Sequence, residues 1–314
     1  MAKGKVLKLR KDVPATWEEA LEQFLWWKQG EQKSKRTIED YRYHVTQFFK
    51  HFPEAYNPRN VKKCVLEYMS RECKPGTYNL RLKNLKTFFS WAVKEGIFPE
   101  NPLEGFQKKK DEGRVVDTDT DTLERLLSLP DKTTFSGLRD YALLLLTLDT
   151  GIRPGEAFLL LPDDFNFKSL QVTVRRETAK TRTSRTLPIL PITANAVREL
   201  ISSRHPAWKN TVPVFCSCDG NPLTRHTWNG RLRYYAKKLG VKLWPYALRH
   251  AFALTYIRNG GYELGLQRTL GHSTLSMTRR YVNLTQADLR EMNTAASPLN
   301  TLLPQRHRVR RVKK

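Results

Sequence analysis

The sequence predicts a mainly α-helical protein of two domains carrying one small antiparallel β-sheet. Three observations lead there. Apolar residues recur at three- and four-residue spacing through most of the 314 residues. Only two short stretches, Leu170 to Arg175 and Thr186 to Leu190, alternate as half-buried strands do. Residues 107–118 hold few apolar side chains and the run Lys108-Lys109-Lys110, the composition of a linker between two packed units.

Residues 1–13 form a basic arm, and 14–106 an all-helical unit. Thr16 and Glu19 are spaced as a capping box for a first helix with Trp17, Leu21, Phe24 and Leu25 inward. A second helix begins near Thr37, presents Tyr41, Val45, Phe48, Phe49 and Phe52, and stops at Pro53. The third carries Val61, Val65, Leu66 and Met69, and the fourth Leu80, Leu85, Phe88, Phe89 and Ala92. Their period is that of a buried stripe, so these aromatics are read as core rather than as platforms for stacked bases. The lysine run in the linker is either simply solvated or follows a polyanion's backbone.

Residues 119–290 open with a helix over 123–129 and a strongly apolar one over 138–148 that must be buried. Gly151 suits the cap of that helix and Pro154 the first turn of the next. The two strands join through Glu177-Thr178-Ala179-Lys180-Thr181-Arg182. Helices follow over 194–203, 228–239, 248–259, 263–270 and 274–281, with Cys216 and Cys218 in a turn ending at Gly220-Asn221-Pro222. Residues 291–314 end in a tail with six Lys/Arg among its last nine residues.

Lysine and arginine total 55 against 31 acidic residues, a net charge of +24 spread over every segment. Such a balance implies a polyanionic partner, nucleic acid first, because neutralising phosphates releases condensed counterions. No run of about 18 apolar residues speaks for a membrane span, and the amino terminus lacks the apolar stretch of a secretory signal, so the chain reads as cytoplasmic. The four cysteines match neither zinc-knuckle spacing nor a disulfide framework and are read as reduced thiols. No carboxylate cluster suggests a metal, and no cofactor motif is present.

Three spots pair a cation with residues that fix its direction. In Thr150-Gly151-Ile152-Arg153-Pro154-Gly155-Glu156, the arginine and the acid share a helical face, which alone would make an ordinary salt bridge. In Pro245-Tyr246-Ala247-Leu248-Arg249-His250, the proline starts a helix that sets Tyr246 and Arg249 on neighbouring turns. Gly271-His272 is followed nine residues later by Tyr281 within Thr278-Arg279-Arg280-Tyr281.

Arginine with glutamate, a hairpin lysine, a helix-borne arginine, Gly-His and then tyrosine is an order that resembles the tyrosine recombinases, the phage integrase family. The resemblance spans both units, since Thr37, Tyr41, Phe48 and Asn101-Pro102 look like the family's core-binding domain and 119–290 like its mixed α/β catalytic domain. It implies a C-shaped clamp on double-stranded DNA that cuts and rejoins strands through a 3′-phosphotyrosine, in the bacterial cytoplasm or nucleoid, as a site-specific recombinase of integrase or excisionase type. Arg153 and Arg249 would clamp the scissile phosphate, Glu156 orient Arg153, Lys180 protonate the leaving oxygen, His272 contact the phosphate and Tyr281 attack it, without metal or cofactor. A catalytically silent DNA-binding regulator and a type IB topoisomerase are the alternatives. A homo-tetramer on DNA is implied, with Leu299, Leu302 and Leu303 docking on a neighbouring protomer or packing on their own domain.

One position departs from the family's pattern. Tyr246 stands where histidine is usual, three residues before the second arginine, and a phenol is a poor base at neutral pH. His250 lies about 100° around the helix from Arg249 and is read as structural.

Overall fold

Residues 13–111, 118–180, 182–279, 281, 290, 293–294 and 297–302 are described by a computed structural model. The expected basic arm up to residue 12, the middle of the linker, Thr181, Arg280, Leu303 and the basic tail lie outside the described residues. The chain divides into two compact units between Gly113 and Arg114.

In the first unit, local chemistry starts each helix. Thr16 Oγ1 accepts from the Glu19 N–H at the head of α1 (Trp17–Gly30), and Glu19 Oε2 accepts from the N–H of Ala15, one residue earlier than a strict capping box. Ser34 caps α2 (Lys35–His51) in the same way, and Pro75 begins α4 (Pro75–Lys94). The short α3 (Val61–Ser70) lies between them. Phe24, Phe48, Phe49, Phe88 and Phe89 are fully buried where α1, α2 and α4 meet, and their rings meet mostly edge to face at 5.0–5.8 Å. The aromatic stripe is therefore core.

Two expected core leucines are not. Leu66 is 55% and Leu80 42% exposed. The buried row of α3 runs Val61, Cys64, Val65, Tyr68 and Met69, and that of α4 includes Tyr78, Leu82 and Leu85, so each leucine sits off its helix's inward phase. Asn101 closes the unit, its Nδ2 donating to Ser90 Oγ and the Lys86 carbonyl while its Oδ1 accepts from the Leu103 N–H.

The second unit is organised around α6 (Phe135–Thr150), whose Ala142, Leu143, Leu144 and Leu146 are fully buried against α8 (Pro191–Ser202) and α10 (Pro245–Arg258). Ahead of it lies α5 (Thr120–Ser128), and behind it the single turn α7 (Pro154–Ala157). The sheet has three antiparallel strands in the order β1 (Phe165–Asn166), β2 (Gln171–Val174), β3 (Arg185–Pro188), with Phe165 opposite Val172 and Val172 opposite Leu187. At two residues, β1 is too short to alternate and is invisible to a pattern search. The other helices described in this unit include α9 (Arg225–Leu239), α11 (Glu263–Leu270) and the short α12 (Ser276–Arg279).

A buried carboxylate ties α9 to α6. Asp140 Oδ1 accepts from Arg139, and Oδ2 accepts from Arg231 Nε at 2.6 Å and the Tyr235 hydroxyl at 2.8 Å. The four cysteines are free thiols, and Cys216 pairs with Pro222 across the expected turn. Among the described residues no helix is long and apolar enough to cross a membrane.

Candidate active site

Two helix ends build the site. Helix α6 stops at Gly151, which caps it at φ +60°, and a Cβ there would fall 2.3 Å from a Phe252 ring carbon, so only glycine fits. The chain turns through buried Ile152 and sets Arg153 at the head of α7. Helix α11 ends likewise at Gly271, again at φ +60°, and the next residue is His272.

Both arginines are buried against these ends. Arg249 Nη1 donates to the Gly151 carbonyl and Nη2 to that of Leu270, while Arg153 Nη2 donates to the Gly271 carbonyl at 2.9 Å. Helix C-termini present unpaired carbonyls and the negative pole of the helix dipole, so they hold cations well. Burial first, and the Arg153 charge second, push the Arg249 guanidinium below the ordinary arginine value, yet it stays a cation at neutral pH. Each guanidinium has five N–H groups, and these contacts leave several on each for an anion.

Glu156 is buried beside them. Oε1 accepts from Arg153 Nη1 at 3.1 Å and from the Lys180 backbone N–H at 3.3 Å, while Oε2 accepts from Arg185 Nη2 at 2.5 Å. Burial raises its carboxyl pKa, but the Arg185 hydrogen bond and charge, the Arg153 charge and the Lys180 N–H outweigh that, and the net shift is downward. Glu156 thus fixes Arg153 and the hairpin that carries Lys180.

His272 Nε2 lies 3.1 Å from Arg249 Nη2, and Nδ1 lies 2.9 Å from Thr278 Oγ1. Arginine can only donate, so Nε2 accepts and Nδ1 carries the proton. The ring stacks on that of Tyr281 at 6.5 Å and 11°. Tyr281 is itself buried, with its N–H on the Thr278 carbonyl and its hydroxyl 2.8 Å from His250 Nδ1.

Arg153, Lys180, Tyr246, Arg249, His250, His272 and Tyr281 all line one open pocket of about 270 Å³. Glu156 stands behind it. The Lys180 side chain is exposed, and Tyr246 is half-buried with no hydrogen-bond partner for its hydroxyl among the described residues.

The sequence model of the phage integrase family matches residues 117–288. This chain belongs to the phage integrase family, the tyrosine recombinases. It is 30% identical to "Tyrosine recombinase XerD" of Lacticaseibacillus casei over 244 residues, covering 76% of this chain and 81% of that one. With "Tyrosine recombinase XerA" of Pyrococcus horikoshii it shares 28% over 291 residues, covering 90% and 95%. A Tn1549 transposon integrase, solved in complex with transposon right end DNA, has the same fold, with a TM-score of 0.71 at 20% identity, covering 90% of this chain and 100% of that one.

The structure of this recombinase corrects one reading of the sequence. His250 does not point away from the site. Tyr246, Arg249 and His250 stand in the relation i, i+3 and i+4, so all three share the helix face that enters the pocket, and the 100° between the last two spans its width. Arg185 holds Glu156 and Thr278 holds His272, contacts that no local sequence signal marks.

Proposed function

We propose that this recombinase cuts and rejoins duplex DNA at a specific site through a 3′-phosphotyrosine on Tyr281, as an integrase or excisionase of a mobile element. One observation carries this reading. Two buried guanidiniums, an imidazole and a phenol converge on one small pocket, and their carbonyl anchors make the cations a prearranged host for an anion.

In this reading residues 14–106 form a helical DNA-binding domain, 119–290 form the catalytic domain, and the protein works in the bacterial cytoplasm. Arg153 and Arg249 fork onto the non-bridging oxygens of the scissile phosphate and bind hardest as charge builds in the five-coordinate transition state. Tyr281 forms the new O–P bond while the bond to the 5′ oxygen breaks, and Lys180 gives that oxygen a proton. The ester keeps the bond energy, so a second 5′ hydroxyl can reverse the attack without ATP.

A tetramer on DNA fits the same reading. Leu299 and Leu302 are exposed, which leaves them available to a neighbouring protomer, and a cavity of about 560 Å³ lined by Leu148, Phe252, Thr255 and Tyr256 is a matching apolar acceptor. Deleting residues 292–314 should then spare single-strand cleavage and abolish synapsis. Unaltered recombination by the truncated chain would reject the tetramer contact.

The test of the main reading uses a duplex selected for tight binding from a random pool and nicked near the cleavage position. Full-length protein should form a denaturant-resistant adduct with it. DNA binding without any adduct would point to a silent regulator, and relaxation of supercoils by a lone monomer to a topoisomerase.

A further inference from the structure

We infer that His250 is the general base that takes the proton of Tyr281 during attack, a role that deepens the proposed function and rests on it. The phenol must lose its proton as its oxygen bonds phosphorus, and a phenol of pKa about 10 is a reluctant nucleophile at neutral pH. His250 Nδ1 lies 2.8 Å from that hydroxyl, within the distance that proton transfer requires.

The other groups around the pocket are each unsuited. His272 Nε2 already accepts from Arg249, and its Nδ1–H is given to Thr278. Lys180 is the proposed donor of a proton to the leaving oxygen and so is not the acceptor of another in the same step. Both Glu156 oxygens are held by Arg153, Arg185 and the Lys180 N–H. Tyr246 is a second phenol, a group that donates a hydrogen bond far more readily than it takes up a proton.

The helix that carries Arg249 also carries the base, one residue on. His250 would act as the Nε2–H tautomer, with Nδ1 open to the phenol proton. Its charged form then meets Arg153 and Arg249 from α7 and its own helix, Lys180 from the hairpin, and neutral Tyr246 and His272. A phosphate bound among these cations offsets their repulsion. On religation the proton returns from Nδ1 to the Tyr281 oxygen as the O–P bond breaks. Tyr246 is thereby relieved of base chemistry, which removes the difficulty posed by the missing histidine.

The experiment measures single-turnover cleavage of the nicked duplex across pH 5 to 9 with full-length protein. In His250→Asn the side-chain amide reaches the same position without basicity. Cleavage should fall roughly 10²- to 10⁴-fold near neutrality, with DNA binding retained and without the acid-side fall in rate expected of the parent. In His250→Ala, added imidazole should restore cleavage in proportion to its free-base concentration. A loss under tenfold with the parent's pH profile in His250→Asn, or no imidazole rescue of a His250→Ala protein that still binds DNA, overturns the assignment. The Tyr281→Phe variant separates the two claims: an adduct formed by it sinks the nucleophile itself, whereas an inert Tyr281→Phe beside an unimpaired His250→Asn sinks the base alone.

Discussion

Arg185 Nη2 donates to Glu156 Oε2 at 2.5 Å, joining the start of β3 to the acid that orients Arg153. Removing one member of a buried pair leaves an uncompensated charge and costs about 3–5 kcal/mol. Glu156→Gln should therefore lower stability at pH 7 by an amount of that order. The folded carboxyl titrates below its ordinary value, so the stability it contributes is present above about pH 4.3 and is lost as pH falls through the folded value. Melting temperatures from pH 7 to 3 should show parent and variant converging in acid. A gap that stays constant across the range contradicts this.

The two guanidiniums are predicted to act as forks as well as charges. Arg153→Lys and Arg249→Lys keep the charge and lose the bidentate geometry. Each should slow cleavage by about 3–4 kcal/mol in transition-state stabilisation, roughly 10²- to 10³-fold, with a much smaller loss of DNA affinity. Losses of tenfold or less in single-turnover rate would make them structural.

Tyr246 lines the pocket with its hydroxyl unpaired among the described residues, and in the proposed reading it donates to a phosphate oxygen. Tyr246→Phe should cost roughly 1–3 kcal/mol of transition-state stabilisation. Tyr246→His should be nearly neutral and leave the pH–rate profile where it was. A clear gain near pH 7 with a new inflection would show that this position does base chemistry.

Sequence reading reached those parts of the site that carry their own punctuation. Gly151 and Pro154 bracket Arg153, Pro245 starts the helix of Tyr246 and Arg249, and Gly271 precedes His272, so direction as well as charge was legible. Arg185 was not, because among 55 basic residues nothing local marks it, and its contacts with Glu156 and with the Thr269 carbonyl at the end of α11 exist only in the folded chain. His250 is not legible in the sequence, because 100° from Arg249 on a helix lies within the face only when the pocket is as wide as this one. Leu66 and Leu80 show the same limit in the first unit, where a leucine at nearly the right spacing falls outside a stripe whose phase tertiary packing decides.

In the proposed reading Arg153 and Arg249 meet the charge of the phosphate themselves. Cleavage should persist in excess EDTA, and loss of activity restored by magnesium would contradict the mechanism. Binding should weaken on the order of 10³-fold between about 50 and 200 mM salt, as a footprint of many phosphates requires. A flat salt titration would be incompatible with it.

The central claim, that the Tyr281 oxygen becomes bonded to DNA, is tested most directly by mass spectrometry of the trapped adduct. After nuclease and protease digestion, the residual nucleotide should sit on the peptide containing Tyr281, and Tyr281→Phe should bind the same duplex as tightly while leaving no adduct. A nucleotide on any other residue, or an adduct that persists in Tyr281→Phe, would contradict the account.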